Sequence, residues 1–154
     1  MSEEMPQTAA GLMLDAEGRV LLGLRSSWKR VAPERWDAIG GHLEAGESPE
    51  MALIRELQEE VGVTPTDFRL IASLPEPRPD LYGLALHHLF AVTGWSGGPP
   101  ANICDEHSEI RWFGIDEVLA LSNTTDFDFG HLLALATSTN ALGNRFLSVE
   151  RPLA

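Results

Sequence analysis

With 154 residues, 44% hydrophobic and 22% charged, the chain has the length for one domain with its own core and the composition of neither a disordered nor a fibrous protein. A formal net charge of −12 at pH 7 argues against general nucleic-acid binding, because so acidic a surface repels a polyphosphate backbone. The single cysteine, Cys104, excludes an internal disulfide and a Cys-rich zinc site.

The N-terminus carries Glu3 and Glu4 and lacks the basic start and long apolar stretch of a secretory signal. No apolar run is long enough for a transmembrane helix, so a cytoplasmic protein without a membrane partner is expected. Residues 7–14 read as a strand, Asp15 to Gly18 as a turn and residues 19–24 as the second strand of a hairpin. Residues 26–35 are polar, contain Pro33 and read as a loop; 36–39 read as a short strand. Gly40-Gly41 is expected to break that strand, with a loop running on through Gly46.

Residues 48–61 predict a helix, with Ser48 as cap, Pro49 at the first helical position and Gly62 as terminator. A strand over 68–74 follows, then a stiff loop over 75–79 that holds three prolines. A long strand over 82–92, a Gly/Pro loop over 94–100 and a short strand over 110–113 come next. Short helices over 116–121 and 129–139 complete the reading, and 140–154 stays unassigned. This order predicts an α/β fold, a mixed β-sheet sandwiched between helices, as one domain over 1–154. No pattern specifies an oligomeric state.

The helix over 48–61 carries the chemistry. On a wheel of about 100° per residue, Leu53, Ile54, Leu57 and Val61 form the expected core stripe, and Glu56, Glu59 and Glu60 are expected on the opposite side. Glu56 then repels Glu59 and Glu60 at i,i+3 and i,i+4 spacing, by roughly 0.2–0.5 kcal/mol per pair. Glu59 and Glu60 also lie near the negative end of the helix dipole. Three glutamates on a helix usually mean a solvated acidic face. A divalent cation, which prefers carboxylate oxygens, would reverse the sign of the conflict.

The preceding loop decides between these readings. Gly41-His42-Leu43-Glu44-Ala45-Gly46-Glu47, Ser48 to Ile54, then Arg55-Glu56-Leu57-Gln58-Glu59-Glu60-Val61-Gly62-Val63 resembles the Nudix box, Gly-x5-Glu-x7-Arg-Glu-U-x-Glu-Glu-x-Gly-U, where U is bulky and aliphatic, at every defined position. Val20 to Arg25, Trp36 to Gly41 and Glu106 to Phe113 resemble flanking segments of the same family.

The resemblance implies a hydrolase of a diphosphate linkage in a small nucleotide-like substrate, dependent on Mg²⁺ with Mn²⁺ as alternative. It implies that the Gly40 carbonyl, Glu56, Glu59 and Glu60 bind the metal or activate water, and that Arg55 and Glu47 order loop and helix. Gly41 and Gly62 are the structural glycines of the box. Glu56 is the first choice as general base, with Glu106 and Glu109 as rivals.

A MutT-like triphosphate pyrophosphohydrolase is the leading expectation. A hydrolase of a nucleoside diphosphate-sugar such as ADP-ribose, and a non-catalytic nucleotide-sensing module, are the alternatives. Arg25 is a candidate for binding a substrate phosphate. His87 and His88 are expected on opposite faces of one strand, and Trp36 and Trp112 in the core. Residues 126–131 hold no Asn of the kind that relatives acting on oxidised guanine nucleotides often place there.

Overall fold

The computed structural model describes residues 5–138. Its strands are β1 (Gln7–Leu14), β2 (Val20–Arg25), β3 (Trp36–Asp37), β4 (Ile39–His42), β5 (Thr64–Pro75), β6 (Leu86–Ser96) and β7 (His107–Phe113). Its helices are α1 (Pro49–Val61), α2 (Pro79–Tyr82), α3 (Ile115–Ala120) and α4 (Phe129–Thr137).

β1 is the spine of one mixed sheet. It runs parallel to β6 with Gln7 opposite Leu86 and Met13 opposite Val92. Its other edge is divided: Thr8 to Gly11 pair with β4, and Met13 and Leu14 pair with β2. β2 carries β3 and β7, and β5 closes the far side against β6.

Side chains alternate across a strand, so β1 feeds two separate cores. Ala9 and Met13 join Leu53, Leu57 and Val61 of α1, with Ile39, Phe90 and Val92. Leu12 and Leu14 face the other way, with Leu132 and Leu133 of α4, Val118 of α3, Trp36 and Phe113. The predicted mixed sheet between helices is the observed architecture. α1 is bounded as expected: the Ser48 side chain accepts from Met51 N, Pro49 opens the helix, and Gly62 ends it at φ 75°.

Several elements differ from expectation. Gly40 and Gly41 lie inside β4, opposite Ala10 and Ala9, and do not break the chain there. They are glycines because the site is crowded: a Cβ on Gly40 would strike the Ala9 carbonyl. β5 begins at Thr64 and β6 continues through Gly94 to Ser96, so the expected 68–74 strand and 94–100 loop misplace both ends. β5 contains Pro65, and it is an edge strand with bulges, where proline is tolerated. Tyr82 belongs to α2, which occupies part of the expected loop and strand, and β6 starts only at Leu86. β7 starts at His107 because its pairing with β2 runs the whole way to Arg25.

α4 is capped by Asp128, which accepts from His131 N. The expected helix end at Thr139 and the segment 140–154 lie outside the described residues. No helix among the described residues is long and apolar enough to cross a membrane.

Candidate active site

α1 does not turn its three glutamates to solvent. Glu56 and Glu60 are buried alongside Leu53, Leu57 and Val61, whereas the Glu59 side chain is 58% exposed. The geometry explains this: seven residues are nearly two full turns, so Glu60 returns to within about 20° of Leu53. Glu60 therefore sits in the stripe assigned to the core, and Ile54 is only partly buried. Gly41 makes room for the second carboxylate, since a Cβ there would lie 2.5 Å from Glu56 Oε2.

Burial, and then the Glu56 carboxylate beside it, push the Glu60 carboxyl up to about 10. The charge of Glu106 acts in the same direction and Lys29 opposes it. Glu60 Oε1 lies 3.0 Å from His107 Nε2 at the start of β7.

The outer side of α1 is built around Arg55. Its Nε donates to Glu47 Oε2 (2.6 Å) and one terminal nitrogen donates to Glu47 Oε1 (2.9 Å), a bidentate pair. That nitrogen also donates to the His42 carbonyl at 3.0 Å. The other donates to Glu56 at 3.1 Å and Glu59 at 3.2 Å. Glu47 in turn accepts from Glu44 N, so the loop between β4 and α1 is tied to the helix. The guanidinium holds the Glu47 carboxyl down at about 2. Glu47 and Arg55 are thus brought together as the resemblance implies.

A cleft of about 750 Å³ opens over this helix. Gly40, Gly41, Arg55, Glu56, Glu59 and Glu60 line it, together with Tyr82, Leu84, His87 and Phe127. Arg25 lines it too, with its Nε given to the Val31 carbonyl and its guanidinium 3.9 Å from Asp37. Glu106 borders the cleft and is ion-paired with Lys29. Glu109, its rival, is partly exposed and paired with Arg111 instead.

His87 points into the cleft and is fixed by Thr8 and Glu76. His88, on the opposite face, is buried between Ser73 and Gln7. Trp36 packs edge-on against Phe113 in the core, and Trp112 stacks on Trp95.

Sequence reasoning missed Lys29, Arg30, Asp37 and His107. Only the last had a signal, a histidine directly after the candidate Glu106.

A NUDIX domain model matches residues 5–134. The chain is 36% identical over 93 residues to the 8-oxo-dGTP diphosphatase of Escherichia coli (strain K12), covering 60% of this chain and 70% of that protein. It is 34% identical over 113 residues to the NAD-capped RNA hydrolase NudC of Mycobacterium bovis, covering 71% of this chain and only 33% of that longer protein. Among solved structures, the MutT NUDIX hydrolase from Burkholderia pseudomallei superposes with a TM-score of 0.74 at 21% identity, covering 88% of this chain and all (100%) of that one. The chain belongs to the NUDIX family. It is a hydrolase acting on phosphoric anhydride bonds.

Hydrolases of this family generally need a divalent metal, and the donor set here can be tested against one. Mg²⁺ is usually held by one or two carboxylates and completed by waters and substrate phosphates. Glu56 and Glu60 are two such carboxylates, buried side by side at the cleft wall with a hard-oxygen character. Burial and the neighbouring Glu56 carboxylate drive Glu60 toward its protonated form, and a cation held between the two would reverse that. The residues fit the ion.

Proposed function

We propose that this chain is a Mg²⁺-dependent, MutT-like nucleoside-triphosphate pyrophosphohydrolase that releases a nucleoside monophosphate and pyrophosphate. The observation that carries this reading is the cleft itself. One continuous space is lined both by the buried carboxylates of α1 and by the rings of Tyr82, His87 and Phe127. Arg25, Lys29 and Arg30 also line this space. Phosphates seated beside the carboxylates would leave the nucleoside for the aromatic rings, with the cations reaching non-bridging oxygens.

Glu56, Glu60 and the Gly40 carbonyl are the groups we assign to hold Mg²⁺, or Mn²⁺ in its place, with Glu59 contributing from the exposed side. A divalent cation bound there neutralises phosphate oxygens and acidifies the attacking water. Glu56 is assigned to take the proton from that water, because it borders both the cleft and Arg55. Arg55 keeps Glu56 and Glu59 oriented, and Glu47 keeps Arg55 in place. Glu106 is assigned to the opposite wall, where Lys29 holds it. Arg25 is assigned to a substrate phosphate.

The test is a panel of ordinary and oxidised nucleoside triphosphates, ADP-ribose and NAD, with and without Mg²⁺, with products separated by chromatography. Monophosphate and pyrophosphate from a triphosphate is the expected result. Cleavage confined to ADP-ribose or NAD would move the assignment to nucleoside diphosphate derivatives. Ligand-induced melting shifts without turnover of any compound would leave a nucleotide-sensing module. The E. coli relative brings 8-oxo-dGTP into the panel, while the absence of Asn from 126–131 argues against making it the assignment.

A further inference from the structure

His107 is buried, its side chain only 6% exposed, and its ring makes one polar contact: Nε2 lies 3.0 Å from Glu60 Oε1. Its other nitrogen, Nδ1, is buried and has no hydrogen-bond partner among the described residues. A proton on Nδ1 would therefore be an orphaned donor, whereas a proton on Nε2 is bonded to a carboxylate. The ring is thus the neutral tautomer that donates from Nε2.

The ring also cannot drift. It lies flat on Gly23 of β2, where a Cβ would stand 2.6 Å from Nδ1 and 2.9 Å from Cγ and Cδ2. The backbone beneath it is held twice, by the β2–β7 ladder and by Asn102, whose Nδ2 donates to the His107 carbonyl at 2.9 Å. A glycine inside a strand weakens it unless something must approach closely; here that something is the imidazole.

We propose that His107 is a positioning residue: it fixes the Glu60 carboxylate by a hydrogen bond to Oε1, so that Oε2 is presented to the cleft as a preoriented oxygen for a divalent cation. The inference rests on the reading of Glu60 as a metal-holding group. A carboxylate left to rotate would lose orientation each time the ion departs, and outer hydrogen bonds of this kind are commonly worth 10–100-fold in metal affinity.

The test is Mn²⁺ binding to the substrate-free protein, read by the electron-spin-resonance signal of free Mn²⁺. His107→Leu, which fills the slot without a donor, should raise the dissociation constant by roughly 10–100-fold. His107→Gln, whose amide can donate, should recover much of that loss. Gly23→Ala, which displaces the ring while keeping it, should weaken binding as His107→Leu does. In turnover, the Mg²⁺ activation constant should shift by the same factor while the rate at saturating Mg²⁺ changes less.

A merely structural histidine would move the melting temperature and leave Mn²⁺ affinity alone. Wild-type affinity in His107→Leu overturns the inference, and if that variant fails to fold, wild-type affinity in Gly23→Ala overturns it. Glu60→Gln separates the two levels. If Glu60→Gln binds Mn²⁺ like the wild type, the reading of Glu60 is wrong. If only Glu60→Gln loses affinity, that reading stands and the role of His107 fails.

Discussion

The two sides of α1 hold the same kind of side chain in opposite circumstances. Outside, Arg55 lies within 4 Å of carboxylate oxygens from Glu44, Glu47, Glu56 and Glu59, so negative charge there converges on a cation supplied by the chain. Inside, Glu60 has Glu56 and the neutral ring of His107 beside it, and no guanidinium or ammonium at salt-bridge distance among the described residues. The outer cluster is electrically closed by the fold. The inner one is left open, at a cost in burial that a cation entering the cleft would offset. Glu56 belongs to both, which makes it the residue through which loop order would reach the proposed metal site.

The largest expected effect comes from neutralising the open side. Glu60→Gln should lower turnover on the order of 10²–10³-fold, the size of losing one preorganised electrostatic contact. Its melting temperature in EDTA should hold or rise, because the neutral amide keeps the shape of the buried carboxyl and removes the group whose ionisation beside Glu56 is disfavoured there. Glu59→Gln should also lower turnover but leave the metal-free melting temperature nearly unchanged, since that side chain is exposed. Calorimetry of both variants in EDTA distinguishes the sides. A Glu60→Gln protein less stable than wild type without metal would contradict an uncompensated inner cluster.

Next in size is the outer hub. Arg55→Ala should reduce both stability and activity, the latter by about 10–100-fold, since Glu56 and Glu59 lose their shared partner. Arg55→Lys should rescue little, because an ammonium cannot make the two-point contact with Glu47. Full activity with an unchanged melting temperature would show that the hub is decorative.

Metal linkage is the third measurement. Mg²⁺ should raise the wild-type melting temperature beyond Na⁺ at matched ionic strength, by about 2.7 kcal/mol in stability at a hundred times the dissociation constant. The Glu59→Gln, Glu60→Gln double variant should respond equally to both salts. Equal shifts in the wild type would mean that the ion enters only with substrate.

The smallest effect concerns acid. Glu47 is held down at about 2 by Arg55, so the folded form keeps its charge longer than the unfolded chain, whose carboxyl titrates near 4.5. The stabilisation is fully present above that ordinary value and disappears as pH falls toward 2. Glu47→Gln should therefore destabilise the protein at neutral pH and flatten its loss of stability between those values, as seen in acid-unfolding curves. A curve parallel to wild type would show that Glu47 contributes nothing specific.

Much of this was legible because it is local. The cap at Ser48, the stop at Gly62 and the spacing from Glu47 to Glu60 lie within one loop and one helix. What escaped depends on distant contacts. Gly40 and Gly41 read as a break since glycine is depleted in strands, and only the approach of Ala9 and Glu56 shows why they belong in one. Glu60 looked exposed because charge overrode position, although its place two turns from Leu53 was already a matter of arithmetic. Lys29 meets Glu106 between the segments that flank the β2–β7 pairing, and His107 at the head of β7 meets Glu60 of α1, contacts that no periodicity in a single segment announces.

The two cores on opposite faces of the sheet bear on how such a protein can change over generations. α1 and the buried carboxylates rest on one core, while Phe127, which also lines the cleft, packs against the other. Substitutions around Phe127 are absorbed by a different set of packed side chains from those that hold the carboxylates, and sites with no shared partners tend to add without coupling. Selection can therefore try new molecular recognition on one face of the sheet while the bond-breaking apparatus on the other is inherited intact.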